Sequence, residues 1–108
     1  MGMRQLIHHH QPGKLFAFAT GPEAILTLQA VPERINEARI ADYLDELEGA
    51  DFTSTFFEGL YRLPPAHCLT VDANGLNIRR YWTLQPQAEL KLENDEAYAQ
   101  AFLKVFTE

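Results

Sequence analysis

The pattern of hydrophobic and polar residues divides the chain into short β-like runs and amphipathic helical stretches. Residues 5–10 and 15–19 have β-strand character, and the turn-forming tetrapeptide Gln-Pro-Gly-Lys separates them. Residues 67–71 and 76–82 form a second pair of apolar-patterned runs, around Asn74-Gly75. Because Asn and Gly tolerate the left-handed backbone of a hairpin turn, we assign Asn74-Gly75 to the turn of this pair. The sequence thus predicts two antiparallel β-hairpins.

Two helical stretches lie between the predicted hairpins and begin with recognisable start signals. Gly21-Pro22-Glu23 opens a short helix, because Pro suits the first helical position and Glu the positive helix end. Asn36 is a predicted cap for a second helix over residues 37–47. Its apolar residues fall at i, i+3, i+4 and i+7, which predicts a buried stripe. The stripe comprises Ile40, Tyr43, Leu44 and Leu47.

A third and a fourth helix are predicted further along the chain. Thr55 with Glu58 fits a capping box for an aromatic helix over residues 55–63, which Pro64-Pro65 ends. Residues 83–92 lack a clear period and are predicted to be an extended connection. Asn94 or Asp95 then caps a final helix with one apolar face. That face comprises Tyr98, Phe102, Val105 and Phe106.

These elements predict an α+β fold of two antiparallel hairpins with three to four helices packed on one side. The final helix has no closing Gly, Asn or basic turn before Glu108, so we expect the chain to be truncated there. Uncovered strand edges and an apolar face also predict a homodimer, in which the two copies exchange the C-terminal helix.

Composition narrows the class of protein. The 108 residues suffice for one domain or less, and 46 % hydrophobic content is typical of a globular chain. The net charge of −6 argues against nucleic acid as the main partner. Cys68 is the only cysteine, so no intrachain disulfide can form and a reducing cytoplasm is the expected location. No apolar run approaches the length of a membrane span.

Two groups of residues could carry chemistry, and each has a simpler structural interpretation. Cys68 next to His67 could be a nucleophile, but neighbours on a strand point to opposite faces, so we expect Cys68 to pack in the interior. His8, His9 and His10 could bind a metal, but only His8 and His10 would share a strand face. We expect these histidines on the surface or on an edge strand.

Acidic and aromatic groups are the remaining candidates. The acidic residues could bind a cation, but most lie opposite the apolar stripe, so a solvated helix face is the better interpretation. The acidic group is Asp42, Asp45, Glu46, Glu48 and Asp51. The aromatic group is too large to leave in water and is expected to pack against another domain or a second copy. It comprises Phe56, Phe57, Tyr61, Tyr81 and Trp82.

Five segments in order resemble the asparagine synthase (glutamine-hydrolysing) family. Leu63-Pro64-Pro65-Ala66-His67 and Arg80-Tyr81-Trp82 are the most specific of them, being similar to the family's Leu-Pro-Pro-Gly-His and Arg-Tyr-Trp motifs. The segments are Arg4 to His8, Lys14 to Leu26, Asn36 to Leu44, Thr53 to Trp82 and Asp95 to Thr107. This sequence departs from the family pattern at Gln5, Ile7-His8, Thr20-Gly21-Pro22 and Ala66.

The resemblance implies a domain organisation. Residues 1–83 would be the C-terminal part of a class II glutaminase domain, which has an N-terminal-nucleophile layer fold. Residues 84–108 would be the linker and the truncated first helix of a synthetase domain. The partners implied are the rest of the parent enzyme, namely the remaining glutaminase half and the synthetase domain, together with a second copy of the chain.

The resemblance also implies the chemistry of the parent enzyme. Its N-terminal cysteine would release ammonia from glutamine, and its synthetase domain would use ATP and Mg²⁺ to adenylate aspartate or a similar carboxylate for amidation. Residue 2 is Gly here, and no Ser-Gly-Gly-x-Asp-Ser loop is present. We therefore assign no catalytic, cofactor-binding or metal-binding residue in this chain, and expect ATP and Mg²⁺ only in the parent.

Three functional hypotheses follow. The first is a non-catalytic segment of an asparagine synthase-like glutamine amidotransferase. The alternative is a free-standing dimeric binding or assembly module derived from that family. A third, a small metal-dependent enzyme using His8 and His10, has the least support in the sequence.

Overall fold

A computed structural model of the chain describes residues 4–47, 51–86 and 88–107. Within them the fold is α+β, with antiparallel strand pairs and three helices, as predicted from the sequence. The elements in chain order are β1 (Ile7–Gln11), β2 (Leu15–Ala19), α1 (Pro22–Leu26), α2 (Glu37–Leu44), β3 (Tyr61–Arg62), β4 (His67–Asp72), β5 (Gly75–Arg80) and α3 (Asp95–Thr107).

Strand β1 is the centre of a three-stranded sheet with the order β2-β1-β3. The predicted first hairpin is confirmed, with Ile7 opposite Ala19 and Gln11 opposite Leu15. The Lys14 N–H donates to the carbonyl of Gln11 across the turn at 3.0 Å. Gly13 supplies the left-handed residue that this turn requires, with φ +70°.

The buried core is small and lies against this sheet. It comprises Ile7, Ile25, Val31 and Leu60. Helix α1 contributes Ile25, and Pro22 stands at its first position as predicted. A core of this size gives little apolar burial for a chain of this length, so much of the hydrophobic surface faces outward.

Helix α2 begins where the sequence predicts, but it does not bury the predicted stripe. The Asn36 side chain accepts a hydrogen bond from the Arg39 N–H at 3.2 Å and so caps the helix. The helix ends at Leu44 instead of Leu47. All four stripe residues are exposed, Leu44 by 73 %, because among the described residues no layer covers that side of the helix. Arg39 is the helix residue that is buried.

The predicted third helix over residues 55–63 is wrong. The Thr55 hydroxyl accepts from the Phe57 N–H at 3.1 Å and donates to the Leu60 carbonyl at 2.8 Å, which organises a loop in place of a capping box. Gly59 then adopts φ +76°, outside the helical region. The chain continues into β3, which pairs with the free edge of β1 and places Tyr61 opposite His8. Pairing with a sheet edge outweighs the local helix signal.

The second hairpin, β4 with β5, is confirmed, and its turn differs in detail from the prediction. Asp72 lies opposite Gly75, and the Asp72 carboxylate accepts from the N–H groups of Asn74 at 2.7 Å and Gly75 at 3.2 Å. Gly75 has φ +134°, whereas Asn74 has a negative φ. Of the predicted Asn-Gly pair, only Gly75 therefore has a positive φ.

Helix α3 begins at the predicted cap, since the Asn94 side chain accepts from the Ala97 N–H at 2.9 Å. None of its described residues is buried, although Tyr98 hydrogen-bonds through its hydroxyl to Leu90 and Leu92 of the preceding segment. The helices are thus not all packed on one side of the sheet. The radius of gyration is 20.0 Å, against about 13 Å for a compact domain of this length.

Candidate functional site

The histidine run lies in the middle strand of the sheet, so the expected surface or edge-strand position is wrong. His8 and His9 are buried. The ring of His8 contacts those of Phe16 and Tyr61, and the ring of His10 meets Phe16 edge-on. The pairing of β3 with β1, which the sequence did not predict, converts β1 from an edge strand into a central one.

The environment of these histidines suits packing better than metal binding. Burial, and next the nearby His10 and His9, lower the pKa of His8, so its ring is neutral at neutral pH. The Nδ1 of His9 donates to the Gly59 carbonyl at 2.8 Å, because a carbonyl can only accept. Within residues 4–47, 51–86 and 88–107, no group of three His, Cys, Asp or Glu side chains is placed to hold a metal ion.

Cys68 is exposed on β4, contrary to the prediction that it packs in the interior. His67 turns its Nδ1 to the Pro65 carbonyl at 2.8 Å, and it lies on the opposite face of the strand from Cys68. The two side chains therefore do not form a nucleophile–base pair. Residues 67 and 68 both contribute atoms to the wall of an apolar groove of about 420 Å³, although their side chains diverge. The groove lies between the first sheet and the second hairpin and is also lined by Phe16, Phe18, Leu69 and Tyr81.

The acidic group does not assemble into a cation site among the described residues. Asp45 and Glu46 are exposed and Asp42 is half-buried. Glu48 lies outside the described residues. Asp51 instead organises its own loop, accepting from the Thr53 N–H at 2.7 Å and the Ser54 N–H at 3.1 Å. The predicted solvated interpretation holds for Asp45 and Glu46, whereas Asp51 has a structural role.

Hydrogen bonding changes the acidity of Asp51. Hydrogen bonds from the Ser54 side chain, from the backbone N–H groups of Thr53 and Ser54 and from the Thr53 hydroxyl hold the pKa of Asp51 well below its ordinary value. The carboxylate is therefore ionised throughout the physiological range. Its oxygens are already engaged within the loop.

The aromatic group is largely exposed. Four of its five members, Phe56, Tyr61, Tyr81 and Trp82, each expose 43 % or more of their surface. Phe18 on β2 is 64 % exposed and extends this surface. Exposed apolar area of this kind is typical of a surface that another chain or segment covers.

A separate cavity of about 170 Å³ contains two arginines that sequence reasoning did not single out. It is lined by Arg39 and Arg62, by Ser54 and Thr55, and by Phe56 and Phe57, among others. Arg39 is only 5 % exposed, although it lies on an amphipathic helix whose apolar stripe is exposed. No sequence signal distinguishes Arg39, because the other residues of the cavity, such as residues 54–57 and Arg62, lie far from it along the chain.

Comparison with known proteins places these features in a family. Residues 1–82 match the model of the glutamine amidotransferase domain family. Over 75 residues the chain is 28 % identical to "Asparagine synthetase [glutamine-hydrolyzing] 3" of Bacillus subtilis (strain 168), which covers 69 % of this chain and 12 % of that protein. The chain thus spans about an eighth of the length of the relative. No solved structure matches.

Proposed function

Because the chain belongs to the glutamine amidotransferase domain family, we propose that it is a non-catalytic segment of an asparagine synthase-like glutamine amidotransferase. In this proposal residues 1–83 are the C-terminal part of a glutaminase domain with an N-terminal-nucleophile layer fold. Residues 84–108 are the linker and first helix of a synthetase domain. The segment supports the two catalytic sites and does no chemistry itself.

The observation that carries this proposal is the large accessible surface of a chain in this family, to which many exposed hydrophobic side chains contribute. The total accessible surface is 9112 Å², whereas a compact protein of this mass exposes about 6,100 Å². The groove beside Cys68 and the exposed rings of Tyr81 and Trp82 contribute to the excess. Surface of this kind is what a segment presents when further layers of its domain pack against it.

The parent reaction follows from the family as part of the proposal. Glutamine supplies ammonia, ATP with Mg²⁺ activates aspartate or a similar carboxylate, and the ammonia forms the amide. We place the enzyme in the cytoplasm, consistent with the single exposed Cys68. Among the described residues, no helix is long and apolar enough to cross a membrane.

Segment exchange with the Bacillus subtilis relative tests the proposal. We expect a chimera in which this chain's 75 matching residues replace those of the relative to release ammonia from glutamine. A deletion of the same segment is the matched control and should lose that activity. The isolated 108-residue chain should release none. A chimera that elutes as a folded protein in size-exclusion chromatography but hydrolyses no glutamine would contradict the proposal, as would activity of the isolated chain.

A free-standing dimeric module is the second candidate, and the outer face of α3 favours it. Phe102, Val105 and Phe106 are each 69 % exposed or more, and the rings of Phe102 and Phe106 stack with their centroids 5.7 Å apart. Exchange of α3 between two copies would cover this face. Sedimentation equilibrium separates the candidates, since the module is a dimer at micromolar concentration and Phe106→Glu would make it a monomer.

A further inference from the structure

The cavity that contains Arg39 and Arg62 has unusual hydrogen bonding. The Arg39 Nη1 is closed off from solvent and has no hydrogen-bond partner among the described residues. The same is true of the Arg62 Nε. The Arg62 Nη2 donates to the Asp51 carbonyl at 2.8 Å, which anchors that guanidinium. Leaving a buried donor unpaired costs about 1–3 kcal/mol, and more for a charged group. Both residues line the cavity, so an occupant that accepts hydrogen bonds from their guanidinium groups would offset part of this cost.

The charge of the cavity points to an anion. Its described lining includes the two arginines and no acidic side chain. Asp51, whose backbone carbonyl accepts from Arg62, has its carboxylate engaged by Thr53 and Ser54. No described acidic residue forms an ion pair with either arginine. The ion pair found in the described part of the chain joins Lys91 to Glu89. The cavity is therefore locally cationic in a chain with a net charge of −6.

The size and walls of the cavity narrow the class of anion. Its volume of about 170 Å³ is below the range of roughly 300–1,000 Å³ that is usual for pockets of larger ligands. Phe56 and Phe57 give it an apolar side that suits carbon atoms. A guanidinium fork matches the two oxygens of a carboxylate.

We propose that the Arg39–Arg62 cavity binds a small organic carboxylate, whose oxygens accept hydrogen bonds from the two guanidinium groups. The carbon skeleton of the ligand packs against Phe56 and Phe57. The Ser54 and Thr55 segment and the Asp51 carbonyl hold the site in shape. This inference concerns the isolated chain and does not depend on the function proposed above.

Ligand titration of the 108-residue chain tests the site. Sodium acetate, sodium L-glutamate, sodium phosphate and sodium chloride are compared at equal ionic strength, by calorimetric titration and by the shift in Tm. We expect the two carboxylates to bind saturably and raise Tm, and chloride to do neither. Arg62→Met, at a half-buried position, should weaken carboxylate binding about tenfold or more, as loss of a hydrogen bond to a charged group implies. The matched control is Arg79→Met on the exposed second hairpin, which should leave the affinity unchanged.

A second variant guards against loss of folding. Arg39→Met removes a buried side chain, so Arg39→Lys is measured beside it, keeping the charge but losing the planar fork. Both should bind acetate more weakly than the parent chain. Equal Tm shifts in acetate and chloride would overturn the proposal, since water would then fill the cavity. Stronger binding of phosphate than of either carboxylate, or unaltered affinity in folded Arg62→Met, would overturn it as well.

Discussion

The Nδ1 of His9 lies 2.8 Å from the carbonyl oxygen of Gly59, a residue 50 positions further along the chain. This hydrogen bond joins the central strand β1 to the loop that leads into β3. Both partners lie at points where the sequence predicts something else, namely a surface histidine and the interior of a helix. The bond therefore reports directly on the tertiary arrangement of the sheet.

Replacing His9 should destabilise the chain. His9→Leu fills similar space but removes the donor, which leaves the Gly59 carbonyl without its side-chain partner. We expect the free energy of unfolding to fall by about 1–3 kcal/mol. Urea denaturation measures it, with His10→Leu at the half-buried next position as the control, where the loss should be smaller. Equal losses for the two variants would show that the hydrogen bond contributes nothing specific.

Replacing Ala66 by glycine should stabilise the chain. Ala66 has φ +60°, a left-handed conformation that an alanine adopts at a cost, and its carbonyl accepts from the Tyr81 N–H at 2.9 Å. Ala66→Gly relieves that cost, and we expect a gain of about 0.5–1 kcal/mol in the free energy of unfolding. Ala73→Gly is the control, because Ala73 has a negative φ. Glycine there only raises the conformational entropy of the unfolded chain, so it should not stabilise the fold. A loss of stability in Ala66→Gly would contradict the assigned conformation.

His8 should make stability depend on pH near neutrality. Its pKa in the folded chain lies below the ordinary value of 6.5. As the pH falls below that value, the unfolded chain takes up a proton that the folded chain resists, so the free energy of unfolding decreases. Above it both states are neutral and the effect is absent. His8→Gln should flatten this decrease between pH 7 and 5, and His67→Gln is the control. Superimposable pH profiles for the parent chain and His8→Gln would refute the assignment.

Asp51 should make stability depend on pH in a more acidic range than His8 does. Its lowered pKa means that the unfolded chain binds a proton first as the pH falls, so the contribution of Asp51 to stability is full above about pH 4 and is lost below it. Asp51→Asn should be less stable than the parent chain at pH 7 and should lose less on acidification. Thermal unfolding from pH 7 to 3 measures this. The control is Asp45→Asn, at an exposed position at the end of helix α2, which should unfold like the parent chain. If Asp45→Asn matched Asp51→Asn, the loop hydrogen bonds would not be the cause of the pH dependence.

Substitutions in the core and in helix α3 should have very different effects on the free energy of unfolding. Ile25→Ala removes a side chain that is 2 % exposed, and the expected loss is about 2–5 kcal/mol. Phe106→Ala alters a side chain that is 77 % exposed, so the expected change is within about 0.5 kcal/mol. Denaturation at two protein concentrations checks both. A concentration-dependent loss in Phe106→Ala would instead favour the dimeric module.

Local signals in the sequence determined much of the secondary structure. Pro22 at a first helical position, the Asn36 and Asn94 caps and the Gly13 and Gly75 turns act within a few residues of themselves, so they operate wherever the segment lies. Both hairpins follow from these signals. The family motifs were recognisable for the same reason, since they are contiguous runs of residue types.

Tertiary structure decided which residues are buried. His8 and His9 became interior because β3 paired with the free edge of β1, and residues 55–63 lost their helix to the same pairing. Arg39 is buried at a cavity that it shares with residues 54–57 and Arg62, far along the chain, while the apolar stripe of its own helix is exposed. Burial depends on contacts between segments far apart in sequence, and periodicity along one segment indicates only which face could be covered. The Arg39–Arg62 cavity is therefore a product of the tertiary structure, and no motif in the sequence marks it.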